Sequence, residues 1–159
     1  MKITAHGLSI EPPTGWDARI RKLSHDLEVI VTSLLWDLSA HPVLHAADFA
    51  LPEERGDFGS GVVEHLRPWQ AFLALVEYSP ANAGTALFSS AGPPRQISAD
   101  AFSPQQLQRT IRGQAGVQRF FSTQGRAFCL YVVIGSMANR LSAVHMVNDA
   151  LRSIEIGPP

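Results

Sequence analysis

The chain has 159 residues, of which 45% are apolar and 17% charged, with 13 Lys and Arg set against 14 Asp and Glu. This length suits a single domain that buries about 68–70% of its unfolded surface, and so apolar a chain is not an intrinsically disordered one. The near-zero charge balance excludes a basic field for nucleic acid, and the single cysteine excludes an internal disulfide framework and a cysteine-rich zinc site.

The opening residues, MKITAHGLSI, hold one Lys and no apolar run leading to a small-residue cleavage site, so no export signal is read there. A cytoplasmic protein with a reduced thiol is the expectation. No internal repeat or low-complexity tract is present. Frequent Gly and Pro favour many short elements over a few long helices.

Gly7 to Ile10 alternates, with Leu8 and Ile10 on one face, and predicts a strand. Pro12-Pro13-Thr14-Gly15 predicts a turn, because Pro fixes φ and Gly permits φ > 0. Trp16 to Arg21 predicts a second strand, with Trp16, Ala18 and Ile20 on one face. Leu27 to Leu38 supports two readings. Val29, Ile30, Val31 and Thr32 favour a strand, whereas Leu27, Val31, Leu34, Leu35 and Leu38 recur at helical spacing. The helix is adopted here, with a pair of short strands as the competitor. Glu28 and Asp37 interrupt the stretch, which is also shorter than the roughly 20 apolar residues a membrane span needs.

Val43 to Leu51 predicts a strand closed by Pro52, followed by a charged loop from Glu53 to Asp57. Ser60 to Leu66 reads as one helical turn or a strand start. Gln70 to Tyr78 predicts a buried strand, Ser79 to Gly84 a turn-rich link, and Thr85 to Phe88 another short strand. Ser103-Pro104 is an N-cap followed by Pro at the first helical position, and it predicts a short helix to about Arg109. Ala115 to Ser122 and Ala127 to Gly135 predict a hairpin turned by Thr123-Gln124-Gly125-Arg126. A helix from Asn139 or Ser142 to about Ser153 carries the stripe Leu141, Val144, Val147, Ala150, Leu151 and Ile154. The sum is an α+β chain: an antiparallel sheet of about six or seven strands with a C-terminal amphipathic helix packed on it.

Three of these features together carry a resemblance. They are the strand running into Pro13-Thr14-Gly15-Trp16, the late hairpin, and the closing helix that ends Asn148-Asp149-Ala150-Leu151-Arg152-Ser153-Ile154. The combination resembles the superfamily of the photosystem II extrinsic subunit P and its Ran-binding and bacterial relatives. A closer similarity is to a group of uncharacterised actinobacterial proteins. It is carried by Gly7-Leu8, Phe49-Ala50-Leu51-Pro52, Gly56-Asp57-Phe58-Gly59, Gly113-Gln114-Ala115-Gly116 and Gly125-Arg126-Ala127-Phe128-Cys129-Leu130-Tyr131. Leu23 to Pro42 departs from that group's pattern. The resemblance implies a PsbP-like fold and a binding or assembly role without a catalytic centre. A shared fold does not by itself transfer a function.

The residue types that carry chemistry are sparse. His41, His45 and Asp48 would share a face only on a helix starting at Pro42; on a strand Asp48 points away, and zinc needs three or four convergent ligands. Cys129 lies in the apolar run Phe128 to Val133, where a thiol is an inert core residue. Gly59-Ser60-Gly61 lacks the pattern of a nucleophile elbow. The glycines from Gly56 to Gly61 lack the residues of a phosphate cradle. Glu53, Glu54, Glu64 and Glu77 give no paired-carboxylate signal.

No catalytic, cofactor or metal residue is therefore assigned. Arg119 and Arg126, if they face out together, form a candidate anion patch, against the commoner reading of a solvated sheet face. A surface Trp beside an Arg, at Trp36 or Trp69, would suggest a protein contact. The expectation is a non-catalytic protein-binding or adaptor domain. Its candidate partner face is Leu27, Val31, Leu34, Leu35 and Leu38, meeting a protein partner or a second copy. The rival is an enzyme or small-ligand carrier with a pocket between sheet and helix, using His45, Glu77, Tyr78 or Tyr131.

Overall fold

The computed structural model describes residues 1–22 and 41–159. Strands β1 (Ile3–Ala5) and β2 (Leu8–Ile10) form a hairpin whose turn places His6 at φ 52° and Gly7 at φ 73°. Five more strands follow: β3 (Asp17–Arg21), β4 (Val43–Ala47), β5 (Ala71–Tyr78), β6 (Ala115–Thr123) and β7 (Arg126–Ile134). Helix α1 (Arg140–Arg152) and strand β8 (Glu155–Ile156) come last. Among the described residues every pairing between these strands is antiparallel. The strands sort into a five-stranded sheet of order β3-β4-β5-β7-β6 and a three-stranded sheet of order β1-β2-β8.

The α+β architecture expected from the sequence is present, but the single sheet of six or seven strands is corrected to two sheets. Strands β1 and β8 are three and two residues long, too short for alternation to register. Two other expectations are corrected. Thr85 to Phe88 is not a strand: Ala86–Phe88 is a 3-10 turn with Phe88 buried and Leu87 61% exposed. The strand from Val43 ends at Ala47, because the Asp48 carboxylate accepts the Ala71 N–H at 3.0 Å and the chain then turns away. The hairpin is as expected. Gln124 at φ 54° and Gly125 at φ 70° make a two-residue turn whose twist matches the flanking strands.

Both faces of the five-stranded sheet are covered. Ala71, Leu73 and Leu75 of β5 join Phe128, Leu130, Val132 and Ile134 of β7 on one face. Leu8 and Ile10 of β2 and Ala143, Val144, Val147 and Leu151 of α1 pack there. Leu141, expected in that helix stripe, is instead 68% exposed. The opposite face presents Phe72, Ala74, Val76, Tyr131 and Val133, and it is covered by Phe49, Leu51, Phe58, Val62, Val63 and Leu66 from the irregular segment between β4 and β5. Because both faces are buried, β5 and β7 read as continuous apolar runs.

Candidate functional site

The segment from Asp48 to Gln70 has no strand and a single 3-10 turn, Val63–His65. Its backbone groups cannot pair in a ladder, so they need other partners where they are buried. The sheet and its flanks supply them as side chains. Asp17 Oδ2 accepts from Leu51 N at 2.9 Å. Gln114 Nε2 donates to the Val63 carbonyl at 2.7 Å, and Arg21 Nη2 donates to the Arg55 carbonyl at 2.5 Å. Beyond this segment, the Tyr131 hydroxyl accepts from Gln108 N at 2.8 Å.

His45 is the centre of this set. It lies fully buried on β4, its ring 5.3 Å from that of Phe72. Arg55 Nε donates to His45 Nδ1 at 2.8 Å, so the ring proton sits on Nε2, which lies 2.8 Å from the Asp57 carbonyl and donates to it. Burial pushes the His45 pKa down to about 4. The Asp57 hydrogen bond opposes this, and the positive charges of Arg55 and Arg21 reinforce it. The imidazole is thus neutral at physiological pH with both nitrogens engaged. Asp48, half-buried, is raised by desolvation despite the Ala71 bond.

Arg126 closes the other face. Only 2% exposed, it forms a two-point ion pair with Glu77, Nε to Oε2 at 2.5 Å and Nη2 to Oε1 at 3.0 Å. Its other N–H groups donate to the carbonyls of His6 at 3.0 Å, Gly7 at 3.3 Å and Gly157 at 2.9 Å. All five donors of the guanidinium are engaged. One side chain therefore ties the β1–β2 turn, the chain after β8 and the long hairpin together. Gly7 has no room for a side chain here, since a Cβ would stand 2.5 Å from Arg126 Nη1.

The candidate anion patch is corrected accordingly. Arg126 points into the protein, not outward, and Arg119, half-buried on β6, donates to the Gln118 carbonyl at 2.9 Å. Alternation along the hairpin suggested a solvated face because the segments that meet Arg126 lie over a hundred residues earlier in the chain or at its far end. The structure does not gather His41, His45 and Asp48. Among the described residues no group of three His, Cys, Asp or Glu could hold a metal ion. Cys129 is fully buried, and burial raises its thiol to about 12. The stripe Leu27, Val31, Leu34, Leu35 and Leu38 lies outside the described residues, as does Trp36. Between sheet and helix, a cavity bounded by Leu75, Phe121, Leu130 and Leu151 holds about 10 Å³, at most the room of one water.

Trp69 is the exposed aromatic of the Asp48–Gln70 segment, at 60% exposure, and the Arg67 guanidinium carbon stands 5.8 Å from its ring centroid. Its turn is held firmly. Gln70 N donates to the Arg67 carbonyl at 2.9 Å, and Gln70 Oε1 accepts from Arg67 N at 2.9 Å. Asn139 Nδ2 donates to the Pro68 carbonyl at 3.0 Å. Gly135 lies directly beneath, where any Cβ would collide with the Arg67 carbonyl. The sequence pointed to Trp69 only conditionally. The Arg-Pro-Trp run, with Pro as a breaker beside two contact-prone residue types, is the signal that locates this corner. Asp17, Arg21, Arg55 and Gln114 went unnoticed, because their role is set by which backbone groups a distant loop leaves unpaired.

No family model, curated protein or solved structure matches this chain.

Proposed function

We propose that this chain is a non-catalytic binding domain for a protein partner, engaged through the Arg67–Trp69 corner. The observation that carries this reading is a Trp held 60% exposed under an Arg on a turn fixed by three hydrogen bonds. Trp and Arg dominate the energetics of protein interfaces, and a rigid turn avoids the ordering cost of association. A second support is the engagement of the reactive side chains. His45, Glu77, Tyr131 and Cys129 are buried or hold backbone and ion-pair contacts. The resemblance to the photosystem II subunit P superfamily, whose members act mostly in binding and assembly, agrees with this reading.

The test is a pull-down from native extract together with sedimentation of the purified chain. A retained protein or a self-associated species, lost in Trp69→Ala, is expected. A strict monomer that retains nothing would remove the proposal.

Small-ligand binding is the second reading. One observation favours it: a cleft of about 420 Å³ lined by His6, Lys22, His41, Glu77, Arg126 and neighbouring residues. A thermal-shift series with small dicarboxylates and phosphates tests it, and an unmoved melting temperature throughout would remove it.

A further inference from the structure

Three loops meet beside the Trp69 turn; two bring an arginine, Arg67 and Arg112, and the third leads into α1 at Arg140. The Met137 N–H donates to the Gly113 carbonyl at 2.8 Å, which joins the loop before β6 to the loop before α1. The Asn139–Pro68 bond joins the latter to the Trp69 turn. Arg67, Arg112 and Arg140 thus come to one end of the sheet, where β5 and β6 start and β7 ends. Among the described residues none of the three forms an ion pair. Arg67 and Arg112 are exposed. Arg140 is half-buried, with Nη1 donating to the Met137 carbonyl at 3.2 Å. Two carboxylates on the neighbouring loop are already engaged: Asp48 by Ala71 N, and Glu64 by Gly61 N and by Arg109 at 2.9 Å. In a chain of formal charge −1, three arginines without a carboxylate partner among the described residues, on adjoining segments at one end, are a local departure from the whole.

We infer that the Arg67–Trp69 corner, with Arg112 and Arg140, docks an acidic segment of a partner protein. The inference rests on the protein-binding reading above and names the partner's chemistry. Asp or Glu side chains meet the guanidinium groups, which suit bidentate carboxylate binding, and an apolar side chain of the segment lies on the Trp69 ring. Nucleic acid fits less well, because three arginines without a continuing basic groove give few phosphate contacts.

The probe is a fluorescein-labelled peptide of alternating Glu and Leu, titrated with the full chain and followed by anisotropy. Its Gln–Leu counterpart and a single-stranded DNA oligonucleotide are titrated alongside. Saturable binding of the Glu peptide is expected, at least about tenfold tighter than the Gln peptide. It should weaken about tenfold or more in Trp69→Ala and in Arg67→Ala/Arg112→Ala. All three positions are exposed, and unchanged circular dichroism checks that the variants fold. Equal affinity for the two peptides, no saturable binding, or tighter binding of the oligonucleotide would overturn the inference. Loss of the extract partner in Trp69→Ala alone, with the double arginine variant unaffected, would overturn the acidic partner while leaving the protein-binding reading intact. Retention of nothing from extract would remove both.

Discussion

The two faces of the five-stranded sheet are closed by different means. One is covered chiefly by regular elements, α1 and the β1-β2-β8 sheet, which satisfy their own backbone groups and offer apolar side chains; Ile97 and Phe102 of the irregular stretch before β6 join them, and there Asn148 of α1 holds both backbone groups of Ile97. Charge enters there chiefly at the border, as the Arg126–Glu77 pair. The other face is covered by the irregular segment from Asp48 to Gln70, and polar side chains reach its backbone from below: Asp17, Arg21, His45 and Gln114. The contrast follows from one rule. A buried backbone group needs a partner, and where no ladder provides it a side chain must. Residues that look like a reactive inventory in sequence are, on this face, the hydrogen-bond partners of a loop.

The sharpest way to break the comparison is at the border of the regular face. Arg126→Met leaves Glu77 buried without its partner and takes a donor from the carbonyls of His6, Gly7 and Gly157, of which Gly7 keeps the Gly157 N–H. Removing one member of a buried ion pair costs about 3–5 kcal/mol, a large share of the roughly 5–15 kcal/mol a domain has in total. Urea denaturation should show that loss as a single cooperative transition, because the clasp joins both sheets. Arg126→Met/Glu77→Leu should recover part of it, since no uncompensated charge remains. A loss below about 1 kcal/mol in the single variant would mean that apolar packing alone joins the two sheets.

The loop-covered face is tested by acid. His45 has a folded pKa of about 4, below its unfolded value of about 6.5, so the unfolded chain binds the proton first. Stability from this group is full above pH 6.5. It falls as pH drops through the window, at up to about 1.4 kcal/mol per unit, and the loss levels off near pH 4 at about 3 kcal/mol. The protonated ring would face Arg55 and Arg21 and could no longer accept from Arg55 Nε. Hydrogen exchange on the amides of residues 51–63 should therefore accelerate in this window before those of β5 and β7 do. His45→Phe should flatten the stability slope between pH 6.5 and 4.5. Unchanged steepness in that variant would place the acid sensitivity elsewhere.

How much of this was legible in sequence follows the same division. Gln70 to Tyr78, the late hairpin and the closing helix were readable because their signal is local: apolar runs, a Gly at the turn and helical spacing. β1 and β8 were not, since each gains its place only by pairing with β2, and β8 lies at the other end of the chain. The candidate site followed the same pattern. Cys129 as an inert core residue was legible from the run around it. Arg126 was misread as outward because its carbonyl partners lie at the two chain termini, and alternation carries no record of contacts at that range. The Trp69 corner was legible as a condition, whereas the three hydrogen bonds that fix its turn and the position of Gly135 beneath Arg67 were not.

The smallest expected effect separates a hydrogen bond from the packing around it. Tyr131 sits on the loop-covered face with its ring against Phe58, centroids 5.7 Å apart, and its hydroxyl accepts from Gln108 N. Burial raises the phenol's pKa, so the hydroxyl stays protonated at any working pH and only its acceptor role is at issue. Tyr131→Phe keeps the ring and removes that acceptor, at about 1 kcal/mol. The change should appear as faster exchange at Gln108 N–H with the exchange of β7 amides unmoved. If the loss spread over β7 as well, the side chains of this face would be bracing the sheet itself and not only its cover. The difference between the two faces would then be one of composition and not of mechanical role.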